Sequence, residues 1–194
     1  MSRVIVRTGA VLAVAFLAGC GSQTADGQSS PDSASTPTSA RTPRHVDQSD
    51  RPPVSFDPCL DLPDDTLVAA GYDPTSETNA DFTPDSYTFL GCSYDTQQRL
   101  YGLNILSGNI AFAEEREKTK GYSTPTEING RPALLKWETN KPNACALSIE
   151  TPYGVLILDR SVFQGHGVDA PEAEWCAGLE ETARTFEPFI PKGD

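Results

Sequence analysis

The chain has 194 residues, 38% of them hydrophobic, and sets 15 Lys and Arg against 27 Asp and Glu for a formal net charge of -12. That length bounds it to one domain of ordinary size with appendages. The negative field excludes nucleic acid and anionic lipid headgroups as main partners, because both are held by Lys and Arg. From Val54 onward the imbalance sharpens to about 10 basic residues against about 23 acidic ones, which suits solubility in an extracytoplasmic setting.

The first segment has the layout of a secretory signal. Arg3 and Arg7 precede an apolar run from Gly9 to Phe16, and Leu17-Ala18-Gly19-Cys20 follows. The run is far shorter than the ~20 residues a bilayer core demands. Leu-Ala-Gly-Cys resembles the lipobox of bacterial lipoproteins. The resemblance implies cleavage between Gly19 and Cys20, a diacylglyceryl thioether on Cys20, and acylation, for example with palmitate, of the new amino terminus. The expected location is the cell membrane, lipid-anchored on its extracytoplasmic face, with residues 1–19 as the signal peptide.

Residues 20–53 read as the lipidated terminus and a disordered tether. Ser, Thr and Pro dominate it, as in SSPDSASTPTSARTPR from Ser29 to Arg44, and it holds too few apolar residues to offset the entropy of ordering. Such a coil spans about 30 Å on average and about 110 Å when extended. The Ser/Thr run is also open to glycosylation.

The globular domain is expected over residues 54–194. A short helix is predicted from Pro63 to Ala70, with Asp64 and Asp65 at its positive end and Gly71 after its last turn. Strands follow at Tyr87 to Tyr94 and Leu100 to Leu106, the second with apolar residues on both parities. Asn109 suits the cap of a helix running to Thr119, with Glu114, Glu115 and Glu117 early and Lys118 and Lys120 late. Asn129-Gly130 is the strongest hairpin signal, because both residues accept positive φ. Ala133 to Trp137 is the returning strand, and a further pair is predicted at Ala144 to Glu150 and Val155 to Arg160. The last element reads as one helix capped by Asp169, with Pro171 in its first turn and Cys176, Leu179, Ala183 and Phe186 on one stripe. The short connections between strands favour antiparallel pairing. The fold class is therefore α+β, a single domain with a mainly antiparallel sheet and helices packed on one face.

The chain holds five cysteines. With Cys20 taken by lipid, Cys59, Cys92, Cys145 and Cys176 remain, an even number that predicts two disulfides with three possible connectivities. No Cys-x-x-Cys pair occurs, and His45 and His166 are the only histidines. A zinc or redox site is poorly supported, and no metal or cofactor is expected.

Phe56-Asp57-Pro58-Cys59, Gly91-Cys92-Ser93-Tyr94, Asn129-Gly130-Arg131-Pro132-Ala133, Ala144-Cys145-Ala146-Leu147 and Cys176 together resemble an actinobacterial envelope lipoprotein family of unknown function, DUF3558. The resemblance covers Val54 to Pro191. It implies location and general fold, and no reaction. A second likeness, to the antiparallel-sheet architecture of PsbP-like and Mog1-like proteins, is one of architecture alone. The favoured disulfides are Cys59–Cys92 and Cys145–Cys176, since each joins a helix to a strand nearby in sequence.

Neither a Gly-x-Ser-x-Gly elbow, a phosphate-binding Gly-rich loop, His-Glu-x-x-His nor a calcium loop is present. His166 with Asp169 and Ser161 is the sole candidate triad, and it reads more simply as a solvated loop. The acidic groups Asp61 with Asp64 and Asp65, Glu114 with Glu115, and Glu180 with Glu181 read as exposed helix positions rather than the two acids of a glycosidase. Trp137, Trp175, Tyr87, Tyr94, Tyr101 and Tyr153 read mainly as packing. The leading expectation is a non-catalytic binding or scaffolding module in the cell envelope, with an envelope protein, a glycan or a lipid as partner. The alternative is a lipid or small-ligand carrier or sensor with a cavity between sheet and helices, and a cell-wall hydrolase comes third.

Overall fold

A computed structural model describes residues 44–45, 47–84, 86–137, 143–163 and 172–193. Gly19 and Cys20, the lipobox, most of the tether, His166 and Asp169 lie outside the described residues.

Among the described residues seven strands form one sheet. They are β1 (Tyr72–Asn79), β2 (Phe89–Thr96), β3 (Tyr101–Gly108), β4 (Ser123–Ile128), β5 (Arg131–Lys136), β6 (Ala144–Thr151) and β7 (Gly154–Val162), in the spatial order β1-β2-β3-β7-β6-β5-β4. Every neighbouring pair is antiparallel. Two meanders, β1 to β3 and β4 to β7, are thus zipped together by the central β3–β7 pairing. The helices are α1 (Pro58–Asp61), α2 (Asp64–Ala69), α3 (Phe112–Thr119), α4 (Glu172–Trp175) and α5 (Leu179–Phe186), with a 3₁₀ turn at Glu187–Phe189. The α+β class and the antiparallel sheet are as expected.

Strand alternation sorts the sheet into two faces. On one, Leu103, Ile105, Leu147, Ile149, Leu156 and Leu158 are at most 1% exposed and pack with Phe56, Leu67, Leu179, Ala183 and Phe186 from the helical layer of α1, α2 and α5. α1, α2 and α5 therefore cover one face. The expectation that the helices pack on one face alone is corrected by α3, which lies on the opposite face, where Phe112 and Ile110 meet Leu106, Val155 and Ile157. Its register there is set by polar contacts rather than by an apolar stripe.

The disulfides are Cys59–Cys92 and Cys145–Cys176, the favoured pairing. The first ties α1 to β2 and the second ties β6 to the turn after α4. Asn129 (φ 49°) and Gly130 (φ 89°) both occupy the left-handed region, which is the hairpin turn the dipeptide predicts.

Four elements differ from expectation. β1 and α1 were not foreseen. β1 reads YDPTSETN, is mostly solvent-facing and pairs on one side only, so no apolar alternation marks it. Both sheet edges carry a proline, Pro74 in β1 and Pro125 in β4, which blunts further strand addition. The cap of α3 is Ala111, not Asn109. Asn109 instead accepts from Thr88 N at 2.8 Å and donates to Asp47 and Ser49. The terminal helix is two helices, because Gly178 at φ 80° and the disulfide-bonded Cys176 turn the chain between α4 and α5.

Contacts of the domain begin ahead of Val54. Arg44 donates to both carboxylate oxygens of Asp57, at 2.6 and 2.9 Å, and also reaches Asp81. Arg51 pairs with Glu114 at 2.9 Å.

Candidate functional site

The sheet face under α3 is organised in cross-strand rows. Asn104, Asp159, Ala146 and Lys136 face one another in register across β3, β7, β6 and β5. Leu106, Ile157, Ser148 and Leu134 form the next row, and Gly102, Ser161 and Ala144 the row on the other side. The centre of this surface is floored by Ala144 and Ala146, whose side chains end at Cβ. A larger residue there would fill the space beneath the C-terminal half of α3.

Because it does not, a cavity of about 290 Å³ opens between α3 and the sheet. Leu106, Ile157, Ala144 and Ala146 supply its apolar floor, Tyr122 and Thr119 one wall, and Glu115, Lys118, Lys136 and Asp159 its charged groups. This volume lies at the small end of ligand pockets, which start at ~300 Å³.

Glu115 and Lys136 set the height of α3 above the floor. Lys136 Nζ donates to Glu115 Oε1 at 2.7 Å, and Ser148 Oγ donates to the same oxygen at 3.0 Å. Both charged side chains are under 10% exposed. Removal of either charge from water is costly, so each is tolerable only because the other is in contact. Thr119, one turn on, donates to the Glu115 carbonyl at 2.9 Å.

Glu114, adjacent in sequence, points outward into a different network. Lys118 at 3.0 Å and Arg51 at 2.9 Å both pair with it. Their hydrogen bonds, Lys118's first and Arg51's next, hold its carboxyl below the usual range, and the same contact pushes the Lys118 ammonium up. Lys118 and Arg51 also stand over the Tyr87 ring, at 4.8 and 5.5 Å from its centroid. Tyr87 in turn meets Phe89 edge-on, and Phe89 packs beside the exposed Phe82.

Of the acidic pairs expected to be exposed, Glu114/Glu115 is therefore a correction: Glu115 is buried and Glu114 is not. A lone Lys136 within the apolar run Leu134-Leu135-Lys136-Trp137 was the signal for its partner. Glu180 and Glu181 do lie outward and pair with Arg184. Ser161 sits on β7, while its supposed partners His166 and Asp169 are outside the described residues. Among the described residues no three His, Cys, Asp or Glu side chains gather where a metal ion could be held.

The remaining aromatic residues pack as expected. Tyr94 is buried and donates to Glu77 at 2.8 Å, and burial, then that bond, pushes its hydroxyl far up. Tyr153 accepts from Ser107 Oγ at 2.7 Å, and burial raises its pKa to about 12. Arg160 lies over Tyr101 and donates to the Trp175 carbonyl at 3.1 Å, so a buried cation closes the C-terminal end of α4.

The fold and cavity together define an α+β domain stapled on one sheet face and hollowed on the other. The chain belongs to the family described as a protein of unknown function (DUF3558), which matches residues 15–188. No curated protein and no solved structure matches it, so the PsbP-like and Mog1-like analogy gains no support from them. No helix among the described residues is long and apolar enough to cross a membrane.

Proposed function

We propose that this chain is a lipid-anchored extracytoplasmic lipoprotein, cleaved after Gly19 and lipidated on Cys20, whose domain is a non-catalytic binding module of the cell envelope. The observation that carries the binding role is the cavity beneath α3, where an apolar floor meets a small set of charged groups held in fixed places. That combination is what small-ligand sites share. The two disulfides support an oxidising, exported setting. The anchor rests on Leu17-Ala18-Gly19-Cys20, since two or more acyl chains give stable attachment where one is marginal.

A scaffolding role toward an envelope protein is the second reading, favoured by Phe82, which is 59% exposed beside Phe89. Native mass spectrometry of the full chain, released from membranes in mild detergent, separates the two. The cavity reading expects a small molecule, added to the released protein at millimolar concentration, to appear bound and to be lost in Ala146→Leu. Its absence, with a protein crosslinked through position 82, would shift the function to scaffolding. For the anchor, Cys20→Ala should leave the membrane fraction or remain unprocessed. Unchanged retention with normal processing would refute lipidation.

A further inference from the structure

We infer that the cavity beneath α3 takes one ring of a neutral, polyhydroxylated ligand, that is, a single sugar unit. This rests on the binding-module reading and adds the ligand class. Charge is the first argument. The cavity is lined by two carboxylates, Glu115 and Asp159, and two lysines, but Lys136 is paired with Glu115 and the Lys118 ammonium is paired with Glu114. Its charges are thus largely matched within the protein, and outside it the chain carries a net charge of -12. An anion would enter against that field, and a cation would have to displace a lysine from its carboxylate.

Hydroxyl groups suit such an alternating set, because each both donates to a carboxylate and accepts from an ammonium. Hydrogen bonds to ionised partners are also the stronger kind. An ion pair already neutral within itself, such as Lys136–Glu115 at 2.7 Å, offers these contacts with no counter-charge demanded of the ligand.

Shape is the second argument. The floor sets apolar Ala144, Ala146, Leu106 and Ile157 around Asp159, which lies among them in the strand register, with the Lys136–Glu115 pair to one side. A sugar ring carries C–H bonds and hydroxyls side by side, so it can meet apolar and charged groups together. Tyr122 at the wall adds an aromatic surface of the kind on which such rings rest. The volume of about 290 Å³ suits a ring with its substituents better than an extended acyl chain.

The test uses the purified full chain and saturation-transfer NMR with galactose, arabinose, mannose and N-acetylglucosamine, set against glucuronate, glucosamine and decanoate. At least one neutral sugar should bind at millimolar concentration, with its ring C–H protons receiving most saturation. Glucuronate and glucosamine should bind about tenfold more weakly. Ala146→Leu, which fills the floor, should lower the sugar affinity about tenfold or more. Should Ala146→Leu disturb the fold, Lys136→Met combined with Glu115→Leu removes the charges but keeps the packing, and it should lose the sugar as well. Binding of no neutral sugar, or binding unchanged in both variants, would overturn the assignment. Decanoate binding that Ala146→Leu abolishes would overturn the sugar class while leaving the binding module in place.

Discussion

On one face of the sheet, Leu103, Ile105, Leu147, Leu156 and Leu158 close against three helices, and two disulfides join that helical layer to β2 and β6. On the other, a single helix of eight residues crosses the centre, and Glu115 holds it through Lys136 and Ser148. The first face buries apolar area, which is non-directional and tolerates no void. The second is held by a directional contact that keeps α3 at a distance and leaves space beside Ala144 and Ala146. A domain can thus concentrate its apolar burial on one side of a sheet and leave a hollow on the other.

The comparison is broken most directly at Lys136. Lys136→Met alone strands a buried carboxylate and should cost about 3–5 kcal/mol in denaturant unfolding. Adding Glu115→Leu should restore most of it, since apolar replacement of both partners is commonly neutral or better. A single variant as stable as the parent would show that α3 is not held by this pair.

Next in size is removal of a staple. Cys145→Ala with Cys176→Ala opens a loop with a sequence separation of 31, and the chain-entropy estimate is about 3–4 kcal/mol. Sugar or other ligand binding beneath α3 should change little if the protein remains folded, because the bridge lies on the opposite face. Loss of binding in step with the bridge would mean that the two faces are coupled.

The smallest effect is alkaline. Tyr153, in the main core, titrates near pH 12 when folded, against ~10 when unfolded. The folded state keeps its proton longer, so this contribution is complete below pH 10 and is lost as pH rises through 12. About 3 kcal/mol at most should disappear over that window, and Tyr153→Phe should flatten the dependence. An identical alkaline profile in both proteins would discard the role.

Much of the main-core face was legible. Asn129-Gly130 and the β6 and β7 strands follow from turn chemistry and apolar runs, which are local, while the even cysteine count announced two bridges and left three connectivities open. The cavity face was not. Glu115 and Glu114 are neighbours of one type, and nothing in a helical stretch of alternating charge says which turns inward. β1 was hidden for a related reason, since a polar edge strand is defined by its partner, Cys92 to Thr96, rather than by its own composition.

By itself the sequence pointed to the α+β class and the antiparallel pairing, because backbone periodicity and turn preference act over a few residues, and its cysteine-bearing motifs carried the likeness to the family. It also placed Lys136 in an apolar strand without naming its counter-charge. Only the tertiary structure decided that α3 crosses the second face, that Glu115 meets Lys136, and that two alanines leave a hollow beneath. Those facts depend on residues 21 apart in the chain approaching to 2.7 Å, and burial of a charge is resolved by whichever partner the fold brings to it.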